Sequence, residues 1–118
     1  MSKKVLILVR TCPYGNATAG EAFRMASGLA GMEHDVEVVF MQDGVFSAVK
    51  WQKPEIISMS DISKAFGAIG EFGAKTYIVK ECTVKRNIKP DDIAFGDFID
   101  YSQLKRMIDV SDFVFSFS

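Results

Sequence analysis

The chain has 118 residues, a formal net charge of −1 at pH 7 and 48% hydrophobic residues. This near-neutral charge excludes the strong positive field of a protein that binds nucleic acid or acidic membranes through its overall charge. No apolar run approaches the roughly 20 residues that span a bilayer, and the basic start at Met1–Lys4 precedes too short an apolar segment for a signal peptide. We therefore expect one domain over residues 1–118, located in the cytoplasm.

The first 41 residues predict a βαβ unit. Lys4–Val9 is a continuous apolar run, which is typical of a parallel strand covered on both faces. After a loop, Thr18 and Glu21 have the spacing of a capping box, and Gly31 is a plausible end for the helix that they begin. Asp35–Met41 is the second predicted strand, and the connection between the two strands is expected to be right-handed.

The remaining residues predict further alternation of helices and strands. Lys50–Ser58, which contains the only tryptophan, is the least regular segment, and we interpret it as a loop at an interface. The alternating aromatics of the last strand indicate burial on one face and a subunit contact on the other. The predicted elements are a short helix at Val45–Val49, a helix capped by Ser60 or Asp61 and ended by Gly70 and Gly73, a strand at Lys75–Val79, a short strand or extended segment within Ile93–Phe98, a helix capped by Asp100 or Ser102, and a strand at Phe113–Phe117.

This order of elements predicts an α/β protein with an open, mostly parallel sheet and helices on both faces. In such sheets ligands bind beyond the carboxyl ends of the strands. Three segments are expected to converge there: Arg10–Asn16, Gln42–Val45 and Lys80–Thr83. Both cysteines, Cys12 and Cys82, fall in these segments, each shortly after a strand.

Cys82 supports two interpretations. The cations Lys80, Lys85 and Arg86 would stabilise a thiolate, although Glu81 works against them, and a thiolate can accept sulfane sulfur as a persulfide. Alternatively, Cys82 is a small buried hydrophobe, since free cysteine is among the most often buried residues.

Cys12 is either a second carrier thiol or a small residue in a tight loop. Two cysteines and one histidine make a poor zinc set, and neither a Walker sequence nor a G-x-G-x-x-G follows the first strand. We therefore expect no metal and no cofactor. Asp43 is most simply a helix cap or turn residue, with a minor orienting role at the site left open.

Four stretches together resemble the DsrE/DsrF family of small sulfur-relay proteins, over nearly the whole chain. They are Cys12-Pro13-Tyr14-Gly15, Val39–Val45, Cys82–Ile88 and Leu104–Phe117. The resemblance implies a three-layer α/β/α, flavodoxin-like fold with a five-stranded sheet. It also implies a homo-oligomer, often a trimer or hexamer, or a hetero-hexamer with sister subunits.

By the same resemblance, a cysteine after the third strand carries persulfide sulfur and passes it to a partner protein, toward tRNA thiolation or sulfur oxidation. Cys82 is then the candidate carrier of a possible sulfurtransferase, and Cys12 a possible second thiol. The candidate binding residues are Tyr14, Gly15, Asp43, Gly44, Lys85 and Arg86.

One departure concerns the segment after Cys82. If Lys85-Arg86-Asn87 is aligned with a basic-basic-Gly segment of the family, the carrier cysteine of that branch falls on Val79. Asn87 replaces the glycine, and asparagine tolerates the left-handed backbone conformation better than most residues. Two alternatives therefore stay open: a non-catalytic assembly subunit, and a small-ligand binding protein that uses the Thr11–Asn16 loop.

Overall fold

The computed structural model describes residues 2–14, 17–50 and 62–118; for residues 62 and 63 it describes the backbone only. Within these residues, five strands form one sheet in the order β4-β3-β2-β1-β5, and every neighbouring pair is parallel. The predicted sheet is thus confirmed, and it is parallel throughout. The strands are β1 (Lys4–Val9), β2 (Asp35–Phe40), β3 (Lys75–Val79), β4 (Asp97–Ile99) and β5 (Phe113–Phe117).

The helices follow the strands in alternation. They are α1 (Thr18–Gly31), α2 (Ile62–Gly67), α3 (Lys80–Lys85) and α4 (Tyr101–Val110), with short 3-10 helices at Gln42–Ala48, Ile69–Phe72 and Pro90–Asp92. In the described part of the chain, no helix is long and apolar enough to cross a membrane.

Several predicted boundaries need correction. The N-cap of α1 is Ala17 and not Thr18, so Thr18 is the first residue of the helix. A 3-10 helix at Gln42–Ala48 replaces the helix expected at Val45–Val49. The strand or extended segment expected within Ile93–Phe98 forms a strand only at Asp97–Ile99 (β4), directly after Gly96, whose φ is 90°.

Other predicted boundaries are confirmed, differ in part or lie outside the described residues. Asp100, and not Ser102, caps α4: its carboxylate accepts the N–H of Gln103, and the Gln103 side chain accepts the N–H of Asp100. The helix predicted to end at Gly70 and Gly73 is shorter: α2 ends at Gly67, and Gly73 instead ends the following 3-10 helix with a left-handed φ of 95°. The proposed caps Ser60 and Asp61, and all but the first residue of the segment Lys50–Ser58, lie outside the described residues.

The two faces of the sheet are covered unequally. Side chains alternate along β1, so Val5 and Lys4 point to opposite faces. Val5 lines a groove with α1, whereas Lys4 lines a pocket with α4. The core beneath α1 and α2 contains Phe66, whose ring meets that of Phe40 edge-on at 4.8 Å. The ten-residue α4 covers the opposite face, to which Lys4 points.

Gly44 brings the chain that follows β2 close to β1. A Cβ atom at Gly44 would overlap the backbone carbonyl of Val9, so any side chain here would displace one of the two segments. Close packing at the carboxyl ends of β1 and β2 therefore needs glycine at this position. Gly44 is also one of the candidate binding residues that the sequence predicts.

Candidate functional site

Cys82 is the third residue of α3, which follows β3 directly. The thiol is 2% exposed, and the residue belongs to the hydrophobic core. The strand ends at Val79 as predicted, but the short helix or turn expected after Cys82 begins two residues before it, at Lys80. The neighbouring Thr83 hydroxyl donates to the Lys80 carbonyl at 2.7 Å, which ties the first turn of α3 together.

Tyr101 covers the sulfur of Cys82. The Sγ atom lies 3.4 Å from the Tyr101 hydroxyl, and Tyr101 itself is 49% exposed. Its backbone N–H donates to Oε2 of Glu81 at 3.0 Å, which gives α3 and α4 a second contact. The hydrogen bond with Cys82, together with partial burial, raises the pKa of the Tyr101 phenol above its ordinary value of 10.0. The phenol therefore stays protonated near the thiol at neutral pH.

Sequence reasoning missed Tyr101. One signal could have found it: Asp100 was a predicted helix cap, and a cap at the end of a parallel strand places the next residue at the start of a helix. β4 is the neighbour of β3 in the sheet, so the start of α4 lies beside the start of α3.

Arg86 joins α3 to the segment after β2. Its Nε donates to Oδ1 of Asp43 at 3.0 Å, and its Nη1 donates to the carbonyl of Cys82 at 3.2 Å. The structure thus brings together two of the sequence-predicted residues, Asp43 and Arg86, beside the backbone carbonyl of Cys82. Much of the Arg86 charge is committed to Asp43, whereas Lys80 and Lys85 are exposed.

Two further sequence-predicted residues, Cys12 and Tyr14, follow β1 at the same edge. Cys12 is exposed, and both cysteines are unbonded thiols. Tyr14 is half-buried, whereas Gly15 lies outside the described residues. The buried N–H of Gly44 donates to the Met41 carbonyl.

Arg10 is a second residue that sequence reasoning did not single out. Its guanidinium donates to the Gln42 side chain at 2.9 Å and to the Ser116 hydroxyl at 3.3 Å, which links the ends of β1, β2 and β5. Within the described ranges, no three His, Cys, Asp or Glu side chains are grouped closely enough to hold a metal ion. The chemistry that the site offers is that of a buried thiol beneath a tyrosine, at an edge bordered by cations.

Comparison with known proteins agrees with this architecture. The sequence model of the DsrE/DsrF-like family matches residues 3–117. The intracellular sulfur oxidation protein DsrF of Allochromatium vinosum is 30% identical, and the alignment covers 98% of this chain and 96% of DsrF. Protein TusC of Escherichia coli is 27% identical over 70% of this chain and 65% of TusC.

Solved structures share the fold. The ychN protein of E. coli superposes with a TM-score of 0.86 at 24% identity, covering 98% of this chain and 99% of that one. MTH1491 of Methanobacterium thermoautotrophicum gives a TM-score of 0.67 at 11% identity, covering 95% and 97%. The family match extends over nearly the whole chain, and the chain therefore belongs to the DsrE/DsrF-like family of sulfur-relay proteins.

Proposed function

We propose that this chain is a sulfur carrier whose Cys82 accepts sulfane sulfur from a donor protein and passes it to an acceptor protein. The Cys82 thiolate attacks the terminal sulfur of a donor persulfide. A new S–S bond forms on Cys82, the S–S bond of the donor breaks, and the donor leaves as its thiolate. The same exchange with an acceptor thiol returns Cys82 to the thiol state, so no external oxidant is needed.

The contact between Cys82 and Tyr101 is the observation that carries this proposal. A thiol in the middle of a core is inert because no reagent reaches it. Here the sulfur touches the hydroxyl of a side chain that is itself half exposed. Rotation of the Tyr101 side chain would open a path to Cys82 without unfolding the core, since exposed side chains change rotamer on fast timescales.

The surrounding residues support recognition of partner proteins at the same edge. Lys85 is exposed there, and the Arg86–Asp43 pair ties two of the edge segments together. We propose that this edge binds the donor and the acceptor in the cytoplasm, with Cys12, Tyr14, Gly15 and Gly44 contributing to its rim. We further propose that the chain acts as a homo-oligomer, or with sister subunits. DsrF, a relative by sequence, is named as an intracellular sulfur oxidation protein.

Intact-mass spectrometry tests the carrier role. The purified protein is incubated with a persulfide donor and weighed before and after reduction. We expect a gain of one sulfur that reduction removes, that is absent in Cys82→Ser, and that is retained in the matched variant Cys12→Ser. An adduct that survives in Cys82→Ser but is lost in Cys12→Ser would move the carrier role to the exposed thiol.

The low exposure of Cys82 favours a second candidate, a non-catalytic subunit that organises a relay complex. A 2% exposed cysteine also serves simply as a small core residue. The two functions separate in the same assay with Tyr101→Ala, which removes the cover. A sulfur adduct that is absent in both the wild type and Tyr101→Ala, with retained binding to partner proteins, would favour the assembly subunit.

A further inference from the structure

β5 differs from the other strands of the sheet in its exposure. A parallel strand is normally covered on both faces, as β1 is here. In β5 the apolar side chains of Phe113, Val114 and Phe115 are 51%, 41% and 38% exposed. The prediction that its aromatics are buried on one face is therefore wrong for Phe113 and Phe115, because an open groove separates them from α1.

Among the residues that the structure describes, no strand pairs with the outer edge of β5. The Phe117 carbonyl accepts the N–H of Arg10, so the odd-numbered residues of β5 direct their backbone groups to β1. By the alternation of a parallel strand, Val114 and Ser116 direct theirs to the outside. Natural edge strands are usually protected by a lysine, a proline or a bulge, and the sequence FVFSF contains no charge and no proline.

The aromatic face of β5 borders an open groove. The rings of Phe113 and Phe115 are stacked with centroids 6.4 Å apart, and they form one wall of a groove of about 500 Å³ whose other wall is α1. The groove has an apolar floor, and its charged or titratable lining residues are all basic: Lys3, Arg24 and His34.

α1 carries an opposite charge toward its other end. Glu21 is exposed and lies three residues before Arg24, so the two side chains share one stripe of the helix. Glu21 lies toward the carboxyl edge of the sheet, whereas Lys3 and His34 lie at the amino edge. A two-fold axis at the middle of β5 exchanges these edges. It therefore turns the acidic end of one α1 toward the basic end of the other.

From these observations we propose that β5 pairs with β5 of a second copy of this chain. The two strands run antiparallel about a two-fold axis near Phe115, and the two sheets join through Val114 and Ser116. The aromatic grooves then face each other and bury their exposed rings. This inference deepens the proposed homo-oligomer by naming its surface. Its test measures particle mass, so its failure leaves the sulfur chemistry of Cys82 unaffected.

Light scattering of the purified chain tests the pairing, with Phe113→Lys as the disrupting variant. Loss of a two-fold contact halves the particle mass, whether the wild type is a dimer or a larger even-numbered assembly. Phe72→Lys is the matched control, because Phe72 is 52% exposed but lies in the 3-10 helix before β3, on the α1 side of the sheet and away from β5. Halved mass in Phe113→Lys alone is expected. A monomeric wild type, or equal masses in the two variants, overturns the proposal.

Amide hydrogen exchange in the wild type gives a readout that needs no variant. The N–H groups of Val114 and Ser116 should exchange as slowly as those of Phe113 and Phe115 if they are paired. Fast exchange at both outer amides contradicts the pairing. Charge reversal adds a third measurement: Glu21→Arg should weaken self-association roughly 2- to 10-fold, because it sets a cation against the basic end of the second copy. The double variant Glu21→Arg/Lys3→Glu should restore it. Weakening of equal size in the single and the double variant counts against a two-fold arrangement.

Discussion

The sulfur of Cys82 lies 3.4 Å from the hydroxyl of Tyr101, which joins the first turn of α3 to the first turn of α4. One partner is in the core, and the other is half exposed. The contact therefore marks the place where the buried thiol comes nearest to a side chain in water. We expect it to control how fast a reagent or a protein persulfide reaches the sulfur.

Removal of the Tyr101 ring should increase the reactivity of Cys82. In a Cys12→Ser background, Cys82 is the only cysteine that can be alkylated. We expect Tyr101→Ala to increase its alkylation rate roughly tenfold, which corresponds to a free energy of opening that is lower by about 1.4 kcal/mol. Tyr101→Phe keeps the cover and removes only the hydroxyl, so its rate should stay within about twofold of wild type on the same scale. Mass spectrometry of samples quenched at successive times measures both rates. Equal rates in all three proteins would show that Tyr101 does not control access.

The Tyr101 phenol should titrate above its ordinary pKa of 10.0 in the wild type. Its hydrogen bond with Cys82 is the main cause, so Cys82→Ala should lower the pKa of Tyr101 toward the ordinary value. Because the folded-state pKa is raised, this contribution to stability is present below pH 10 and is lost as the pH rises through the folded pKa. Phenolate absorbance measures the titration, and Tyr101→Phe identifies which transition belongs to it. An unchanged transition in Cys82→Ala contradicts this assignment.

The buried carboxylate of Glu37 should depend on Lys4. The Lys4 ammonium lies 3.2 Å from Oε1 of Glu37, and the bond to Glu37 raises the pKa of Lys4 above 10.5. Lys4→Met leaves a buried charge without its partner and should cost about 1–3 kcal/mol of unfolding free energy at pH 7. The cost should shrink as the pH rises from 10.5 through the raised pKa of Lys4, where the folded wild type also loses this charge.

Urea unfolding measures the free energy in this series. The double variant Lys4→Met/Glu37→Leu should recover much of the loss, since it removes both charges from the face under α4. Asp35→Asn is the matched control: Asp35 also pairs with Lys4, at 3.4 Å, but is exposed, so its loss should cost less than about 0.5 kcal/mol. A Lys4→Met protein as stable as the wild type would show that water satisfies Glu37.

Two glycine substitutions should have opposite effects on the stability of the protein. Gly44→Ala places a Cβ atom against the Val9 carbonyl and should destabilise the protein by more than about 3 kcal/mol or prevent folding, as overpacking against backbone does. Gly20→Ala meets no atom within 4 Å in α1 and should stabilise it by about 0.5–1 kcal/mol. Thermal unfolding compares the two. A Gly44→Ala protein with wild-type stability would mean that the end of β2 can move away from β1.

The bounds of several strands and the parallel character of the sheet were predictable because the signals were local. The predicted strands Lys4–Val9 and Lys75–Val79 coincide with β1 and β3. Asp100, one of the two residues predicted to cap the last helix, caps α4. Asn87 adopts the left-handed conformation expected of it, with φ of 56°. Each of these features depends on a few neighbouring residues, which is the range over which propensity and turn chemistry act.

The cover over Cys82 and the exposure of β5 depend on distant residues. Tyr101 reaches the sulfur because β4 lies beside β3, a relationship that no local pattern contains. The aromatics of β5 resemble those of a buried strand in sequence, and the position of β5 at the edge of the sheet, across an open groove from α1, leaves them exposed. Tertiary placement decided both outcomes.

The strand order has a consequence for how an assembly could exchange sulfur. β3, which leads into Cys82, is three strands from β5. Two sheets joined through β5 would have seven strand spacings between one β3 and the other, or about 34 Å at roughly 4.8 Å per spacing. The two Cys82 thiols would then lie on opposite sides of the particle, where each could bind a different partner protein. Such a particle could be loaded at one flank while it delivers at the other.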